Sequence, residues 1–301
     1  IVRDIDCKGN NTGSISLSVF GGVKPYQYAW NTNDSTRDIF NIKAGTYSLK
    51  IKDANGCQNN YSTEIKEPAK LVHTLDEVVN NLCYGDNKGS VNISVAGGVE
   101  PYAYKWSNGA YTQDIVNVKA GRYTVLIKDA NGCVDSLTAA VTENPLLTAT
   151  AEATNIKCYG QNSGDIKLVV NGGVAPYTYK WSNGATTQNI SQLTAGNYSV
   201  VIKDAKGCEK IADAQITEPP RFIASLESDR NILCNGENTG EVIVRVNGGV
   251  TPYTFKWSNG AASQNLNDVA AGKYTLNATD ANGCASAPAS MASWPPSMTD
   301  P

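Results

Sequence analysis

Apolar and polar residues alternate along short runs of this chain, and Gly, Asn and Pro separate the runs. In one run Ile166, Leu168 and Val170 face one side, while Lys167 and Asn171 face the other. The same rule holds for the runs 91–95, 123–127, 137–141, 198–202 and 212–216. A period of two with one apolar face predicts antiparallel strands that are buried on one side, and no window has the period of a helix.

The runs recur because the chain is a repeat. Eight cysteines fall into four pairs with one constant internal spacing, and the pairs themselves recur at nearly equal intervals. The pairs are Cys7 and Cys57, Cys83 and Cys133, Cys158 and Cys208, and Cys234 and Cys284. A tryptophan and then a tyrosine follow the first cysteine of every copy at fixed offsets: Trp30, Trp106, Trp181 and Trp257, and Tyr47, Tyr123, Tyr198 and Tyr274. Four copies therefore share a stretch without insertions or deletions.

Proline marks the seams between the copies, at Pro68, Pro145 and Pro219. We predict four repeats at 1–68, 69–145, 146–219 and 220–295, followed by a tail at 296–301. Only six residues precede Cys7, so the first repeat is expected to lack part of its opening strand. The last strand is poor in apolar residues, with Pro288, Ser290 and Ala292 at inward positions.

Six or seven short strands in about 75 residues predict a small β-sandwich. A tryptophan on the third strand and the stretch LTAGNY ahead of the sixth, a candidate tyrosine corner, resemble the immunoglobulin-like sandwich. We therefore predict an all-β tandem array of four immunoglobulin-like antiparallel sandwiches, with the repeated tryptophans and tyrosines in the cores.

The even cysteine count at fixed spacing predicts disulfides in an oxidising compartment. Zinc is the competing interpretation, but zinc sites need close thiol pairs, and even the nearest two cysteines, Cys133 and Cys158, are far apart in sequence. If the strands alternate up and down, both cysteines of a copy lie at the same pole. We therefore expect one disulfide within each domain, worth roughly 4 kcal/mol from closing the loop. The sequence leaves other connectivities open.

Charge and composition exclude some partners. The net charge is −3, the pI is about 5.3 and basic residues do not cluster, so we expect no nucleic-acid partner. No apolar run is long enough to span a bilayer, so we expect no membrane insertion by this segment.

The aromatic row of the stretch GGVAPYTYKWSNG is the first candidate binding site. Tyr177, Tyr179 and Trp181 share one face of the predicted strand, where a sugar could stack. In the fourth copy Phe255 replaces one tyrosine, so packing explains the row better than ligand contact does. The outward Lys180 and the SNG loop are the positions left for recognition.

Metal and catalytic sites have weaker support. The turn DANGC supplies one acid per copy at Asp53, Asp129, Asp204 and Asp280, whereas calcium takes six to eight oxygens, so we predict a structural turn.

His73 is the one histidine and has no counterpart in other copies, so a repeated catalytic triad is excluded. We predict no enzyme activity, no cofactor and no metal. The tripeptides at 34–36 and 135–137 are weak candidates for O-glycosylation.

The combined motif, from the C-x-G loop through GGVxPYxYxWSNG and AGxY to DANGC, resembles the SprB repeat of the gliding-motility adhesins of Bacteroidota. The resemblance implies type IX secretion, display at the cell surface and a role in adhesion and movement. We predict a non-enzymatic, stiff, stalk-like segment, with neighbouring repeats as partners. The alternatives are repeated carbohydrate-binding modules of a secreted polysaccharide-acting protein and a self-assembling structural surface filament. Surface glycans or other copies of the chain are the further candidate partners.

Overall fold

The computed structural model describes residues 1–230, 237–286 and the strand at 289–293. The chain divides into two compact units, Ile1–Asn144 and Pro145–Pro301. Each unit holds two modules of six β-strands, and the described residues contain no helix. The all-β prediction is therefore confirmed.

The strands of the first unit follow the repeat. The first module comprises β1 (Val2–Arg3), β2 (Gly13–Ile15), β3 (Gln27–Trp30), β4 (Ile39–Ile42), β5 (Gly45–Lys52) and β6 (Gln58–Ile65). The second module comprises β7 (Val72–Val79), β8 (Gly89–Ala96), β9 (Ala103–Trp106), β10 (Ile115–Val118), β11 (Gly121–Lys128) and β12 (Val134–Val141).

The second unit repeats this order. The third module comprises β13 (Thr148–Thr154), β14 (Gly164–Asn171), β15 (Thr178–Trp181), β16 (Ile190–Leu193), β17 (Gly196–Lys203) and β18 (Glu209–Ile216). The fourth module comprises β19 (Ile223–Arg230), β20 (Gly240–Asn247), β21 (Thr254–Trp257), β22 (Leu266–Val269), β23 (Lys273–Thr279) and β24 (Ala289–Ser293).

Every module is built from two three-stranded antiparallel sheets. The first, second and fourth strands form one sheet, and the third, fifth and sixth form the other. In the second module Val91 pairs with Ile115 in one sheet, and Val125 pairs with both Trp106 and Leu137 in the other. This partition matches an immunoglobulin-like sandwich that lacks the additional edge strands.

The apolar residues of the alternating runs fill the space between the two sheets. In the second module Val91, Ile93, Val125, Ile127 and Val141 are all at most 2% exposed. The corresponding residues of the third module, Ile166, Leu168, Val200, Ile202 and Ile216, are equally buried. These residues, predicted from the sequence to face inward, therefore form the cores of the modules.

The repeated aromatic residues close these cores. The tryptophans are at most 4% exposed, and each indole N–H donates to a backbone carbonyl six residues later at 2.9 Å. Each corner tyrosine donates its hydroxyl to the carbonyl four residues earlier at 2.8 to 3.0 Å, as in Tyr123 to Lys119. The tyrosine lies on the fifth strand of each module, one strand earlier than the sequence suggested.

Strand direction does not alternate throughout the module. The second strand runs antiparallel to the fourth, and the third antiparallel to the fifth. The bend after the second strand contacts the turn after the fifth, since Ala130 N–H donates to the carbonyl of Val99. The loop after the first strand instead contacts the end of the sixth, since Asn81 N–H donates to Thr142. The third and fourth strands therefore run in the same direction.

The two cysteines of one module consequently lie at opposite poles. Cys83 is in the loop after the first strand, at the exit pole where the sixth strand ends. Cys133 is in the turn after the fifth strand, at the entry pole where the first strand begins. The predicted disulfide within each domain is therefore wrong. The prediction assumed that successive strands alternate in direction, whereas the third and fourth strands run in the same direction.

Candidate functional site: the junction between modules

Disulfides join successive modules within each unit. Cys7 of the first module bonds to Cys133 of the second, with a Cα–Cα distance of 5.6 Å. Cys158 of the third module bonds to Cys284 of the fourth, with a Cα–Cα distance of 5.5 Å. Each bond spans 126 residues and links the exit pole of one module to the entry pole of the next. These distances are typical of protein disulfides.

An asparagine amide accompanies each of these two bonds. Asn131 Nδ2 donates to the carbonyl oxygen of Asp6 at 2.9 Å, and Asn282 Nδ2 donates to that of Lys157 at 2.9 Å. Each acceptor carbonyl belongs to the residue directly before the bonded first cysteine. The junction therefore combines a covalent bond with a hydrogen bond to the same loop.

The aspartate of the DANGC turn holds the entry pole together. Asp129 accepts the N–H groups of Val99 at 2.9 Å and Cys133 at 2.8 Å, so its carboxylate ties the bend after the second strand to the cysteine turn. Asp53, Asp204 and Asp280 make the equivalent pair of bonds, and all four carboxylates are buried. These aspartates therefore stabilise a structural turn, as the sequence predicted.

These backbone donors also set the acidity of two of the carboxyl groups. The N–H of Val23 is the main cause that lowers the pKa of Asp53 below its ordinary value. Burial raises the pKa of Asp204, but N–H groups from Cys208, Val174 and others outweigh it, so the pKa also ends below the ordinary value. Both carboxylates are therefore stabilised in the ionised form.

The segment that enters a module is fastened to its Gly-Gly bend. Gly98 N–H donates to the carbonyl of Ala69 at 2.8 Å, and Gly173 and Gly249 make the same bond to Pro145 and Pro220. A Cβ added at Gly97 would lie 2.0 Å from the carbonyl oxygen of Lys70. The first glycine is therefore needed both for its φ of 72° and for this close approach.

A glutamate secures the first-cysteine loop at the exit pole. Glu143 accepts the N–H of Gly85 at 2.6 Å, and Glu67 and Glu218 accept those of Gly9 and Gly160 at 2.8 and 2.7 Å. Lys8 Nζ lies 2.6 Å from Glu67 and, with the Gly9 N–H, lowers the pKa of that carboxyl. These glutamates were not among the predicted site residues, although each follows the first cysteine of its copy at the same offset.

The remaining cysteines differ in state. Cys83 and Cys208 are also in disulfide bonds. Among the described cysteines Cys57 alone is free, and it is exposed. Cys234 lies outside the described residues.

The aromatic row does not form an open platform. Trp181 is buried, whereas Tyr177 and Tyr179 are half-buried and pack against the core of the third module. Tyr177 donates its hydroxyl to the carbonyl of Gly172 at 2.6 Å and so braces the Gly-Gly bend. Burial raises the pKa of Tyr179. Lys180 is exposed, as expected for the outward face.

His73 is not an isolated surface residue. Its Nδ1 lies 2.7 Å from Asp135 Oδ2, joining the first and sixth strands of the second module. Burial raises the pKa of Asp135, but the bond to His73, the Ser136 N–H and the nearby positive charge of Lys70 together outweigh it, and the pKa is lowered overall. In the part of the chain that the structure describes, no group of three His, Cys, Asp or Glu side chains could hold a metal ion. Nor does any described helix have the length and apolarity to cross a membrane.

Fold and junction together define a tandem array of immunoglobulin-like sandwiches, cross-linked from module to module within each unit. The family model of the SprB repeat matches the chain four times, at residues 1–35, 75–111, 150–186 and 229–262. The second match extends from β7 to just beyond the turn after β9, and so covers the first-cysteine loop and the Gly-Gly bend. The chain therefore carries four SprB repeats.

Solved structures with similar folds are distant. Three N-terminal domains of the outer capsid protein Hoc of bacteriophage RB49 are 14% identical, with a TM-score of 0.33, over 69% of this chain and 91% of that one. Immunoglobulin domains 1–5 of Sidekick-1 are 13% identical, with a TM-score of 0.30, over 92% and 75%. No curated protein matches the sequence. The fold assignment accordingly rests on the sheets themselves.

Proposed function

We propose that the chain is a non-enzymatic repeat segment of a secreted cell-surface adhesin, in which it acts as a stiff stalk in gliding and surface attachment. The observation that carries the proposal is the pair of disulfides that bind one module to the next. A protein that only displayed independent domains would have no need to link neighbours covalently. A stalk that transmits force does, because its weakest points are the connections between modules.

The geometry of the junction supports load transfer. Chain entry and exit lie at opposite poles of a module, so tension applied along the chain crosses each sandwich from one pole to the other. Within each unit the first-cysteine loop at the exit pole is bonded to the next entry pole. A force that pulls two such modules apart is therefore borne by the disulfide bond rather than by the strands.

Membership of the SprB repeats supports the biological setting. The family is typical of large surface adhesins of gliding Bacteroidota, which leave the cell by the type IX system. Disulfides fit an extracellular location, because such bonds persist in oxidising compartments. We therefore place the segment at the cell surface, as a spacer between the cell and the adhesive parts of the protein.

Single-molecule stretching of the chain, tethered at both ends, tests the stalk function. The two 126-residue stretches closed by the described disulfides should stay inextensible without reductant. With reductant the same molecules should gain about 850 Å of contour length for these stretches, at about 3.3 to 3.6 Å per residue. An equal gain with and without reductant would contradict a covalently reinforced stalk. Specific glycan binding that is lost on Lys180→Ala would instead favour a carbohydrate-binding module.

A further inference from the structure

One outer sheet face of the second module is basic. The outward side chains of β9, β11 and β12 include Lys105, Arg122 and Lys128, all of them exposed. Asp135 is the one acid on these strands, and it lies at an inward position where it is bonded to His73. In this module, which the structure describes throughout, the outward positions of the sheet therefore hold three cations and no anion. We call this surface the basic face.

The other outer sheet face of the same module is acidic. Asp76 and Glu77 lie exposed on β7, and β7, β8 and β10 contain neither lysine nor arginine. Neighbours on β8 hold both carboxylates in place: Ser94 Oγ donates to Asp76 at 2.6 Å, and Asn92 Nδ2 donates to Glu77 at 3.3 Å. We call this surface the acidic face. The fold thus separates charges that are mixed along the sequence.

Both faces also expose aliphatic side chains. On the basic face Leu126 is 46% exposed beside Lys105, and Val134 is 62% exposed at the end of β12. On the acidic face Val79 and Val116 are 40% and 63% exposed and lie in one row across the sheet. Each face therefore combines charge of one sign with apolar surface that a partner would remove from water.

The corresponding basic surface of the third module is neutralised from within. Lys203 Nζ lies 3.1 Å from Glu209 Oε1, and the two residues are paired across β17 and β18. Lys128 of the second module is paired in the same register with Val134. The basic face of the second module therefore lacks the carboxylate that compensates the charge in the third.

The acidic surface shows the same difference between the two modules. Glu152 of the third module is paired across the strands with Lys167. Glu77 holds the equivalent position in the second module and is paired with the neutral Asn92. The charges of both faces of the second module are thus left for a partner to neutralise.

We propose that the basic face of the second module binds the acidic face of the second module in another copy of this chain. Opposite charges and apolar side chains then meet on both sides of the contact. A hydrated polyanion would neutralise the lysines but leave Leu126 and Val134 in water. The strands of both faces contain no cysteine and run between the poles, so this side-by-side contact is independent of the junction disulfides. Because the two faces differ, the contact is heterologous and can continue from copy to copy.

The size of the faces predicts a weak contact. Three strands of at most eight residues cover about 26 by 14 Å, at about 3.3 Å per residue and about 4.8 Å between strands. Two such faces bury at most about 750 Å², below the roughly 1,200 Å² of stable interfaces. We therefore expect reversible association that depends on protein concentration and on salt.

Sedimentation velocity of the purified 301-residue chain tests the proposal. The sedimentation coefficient should rise with protein concentration in about 20 mM salt and stay constant in about 500 mM salt, because exposed charges are then screened. Lys105→Glu/Lys128→Glu makes both faces acidic, and Asp76→Lys/Glu77→Lys makes both basic. Each double variant alone should lose the association, since like charges would meet. An equimolar mixture of the two should regain it, which also shows that both variants are folded.

Two further variants separate the faces from net charge. Lys88→Glu/Lys119→Glu makes the same change in net charge at exposed lysines outside both faces, and should therefore retain most of the association. Val134→Glu copies the compensation by Glu209 in the third module and should weaken the association about ten-fold, as one unfavourable charge in a contact does.

Four outcomes would overturn the proposal. They are a sedimentation coefficient that is independent of concentration in low salt, association that survives Lys105→Glu/Lys128→Glu, equal loss in the control at Lys88 and Lys119, and a mixture of the two charge-reversed variants that does not associate. Sodium alginate serves as a polyanion probe. A wild-type chain that stays monomeric but binds alginate through Lys105 and Lys128 would assign the basic face to an acidic polysaccharide instead.

Discussion

Replacing Gly97 by alanine should detach the entering segment from the second module. A Cβ at this position would lie 2.0 Å from the carbonyl oxygen of Lys70 and 2.8 Å from its carbonyl carbon. Both are backbone atoms, so the clash is relieved only if the segment moves. Gly21 is the matched control, since it has a similar φ of 80° but nothing within 4 Å of the added Cβ.

Gly97→Ala and Gly21→Ala should lower the free energy of unfolding of their modules by different amounts. Both substitutions place alanine in the left-handed region, at about 1 kcal/mol. Gly97→Ala also disturbs the Gly98-to-Ala69 hydrogen bond, worth about 1 kcal/mol, and part of the burial of Leu71, worth about another 1 kcal/mol. We therefore expect a loss of about 3 kcal/mol in the second module, against about 1 kcal/mol in the first for Gly21→Ala.

Hydrogen exchange with peptide-level mass spectrometry can measure both modules in the same molecule. Gly97→Ala should accelerate exchange in β7 and the segment before it about 30-fold more than Gly21→Ala accelerates exchange in the first module, which corresponds to about 2 kcal/mol. Equal effects of the two variants would refute the close-approach argument, because positive φ alone would then explain the cost.

Three further predictions concern the poles and the cores. Glu143→Gln keeps an acceptor for Gly85 N–H but removes its charge, so exchange of the first-cysteine loop should rise by an amount equivalent to about 1 kcal/mol, with the other modules unchanged. The depressed pKa of Asp53 means that its stabilising contribution is complete above the ordinary value near 4 and is lost as the pH falls through the lower folded value. Denaturant titrations from pH 5 to pH 2 should therefore show a falling midpoint, and Asp53→Asn should flatten the decline. Tyr123→Phe deletes the hydroxyl bond to Lys119 and should cost about 1 kcal/mol in chemical denaturation, and no loss would show that the corner contributes only packing.

Much of the module follows from its sequence because burial has a simple period. Val91 and Ile93, two residues apart, face the core as their alternation indicates, and Trp106 closes it. The tyrosine corner at Tyr123 was likewise predictable from the AGxY pattern, since its hydrogen bond is local in sequence. These features depend on neighbours within a few residues.

The junction was not predictable in the same way. Cys7 was expected to pair with Cys57 because each copy of the repeat holds one such pair of cysteines. The sequence does not reveal that the third and fourth strands run in the same direction. That one change of direction moves Cys57 to the pole opposite Cys7. The roles of Asn131 and Glu143 depend on contacts that only the folded chain brings together. Their constant spacing from the cysteines was the one signal available.

Disulfide mapping of the unreduced chain tests the central claim most directly. Trypsin cleaves between every two successive cysteines, so each pair of disulfide-linked peptides can be identified by its mass. The structure predicts that peptide 4–8 is joined to peptide 129–157, and peptide 158–167 to peptide 274–301. Recovery of peptide 4–8 joined to peptide 53–66, or of 158–167 joined to 207–210, would show bonds within modules and contradict the junction described above.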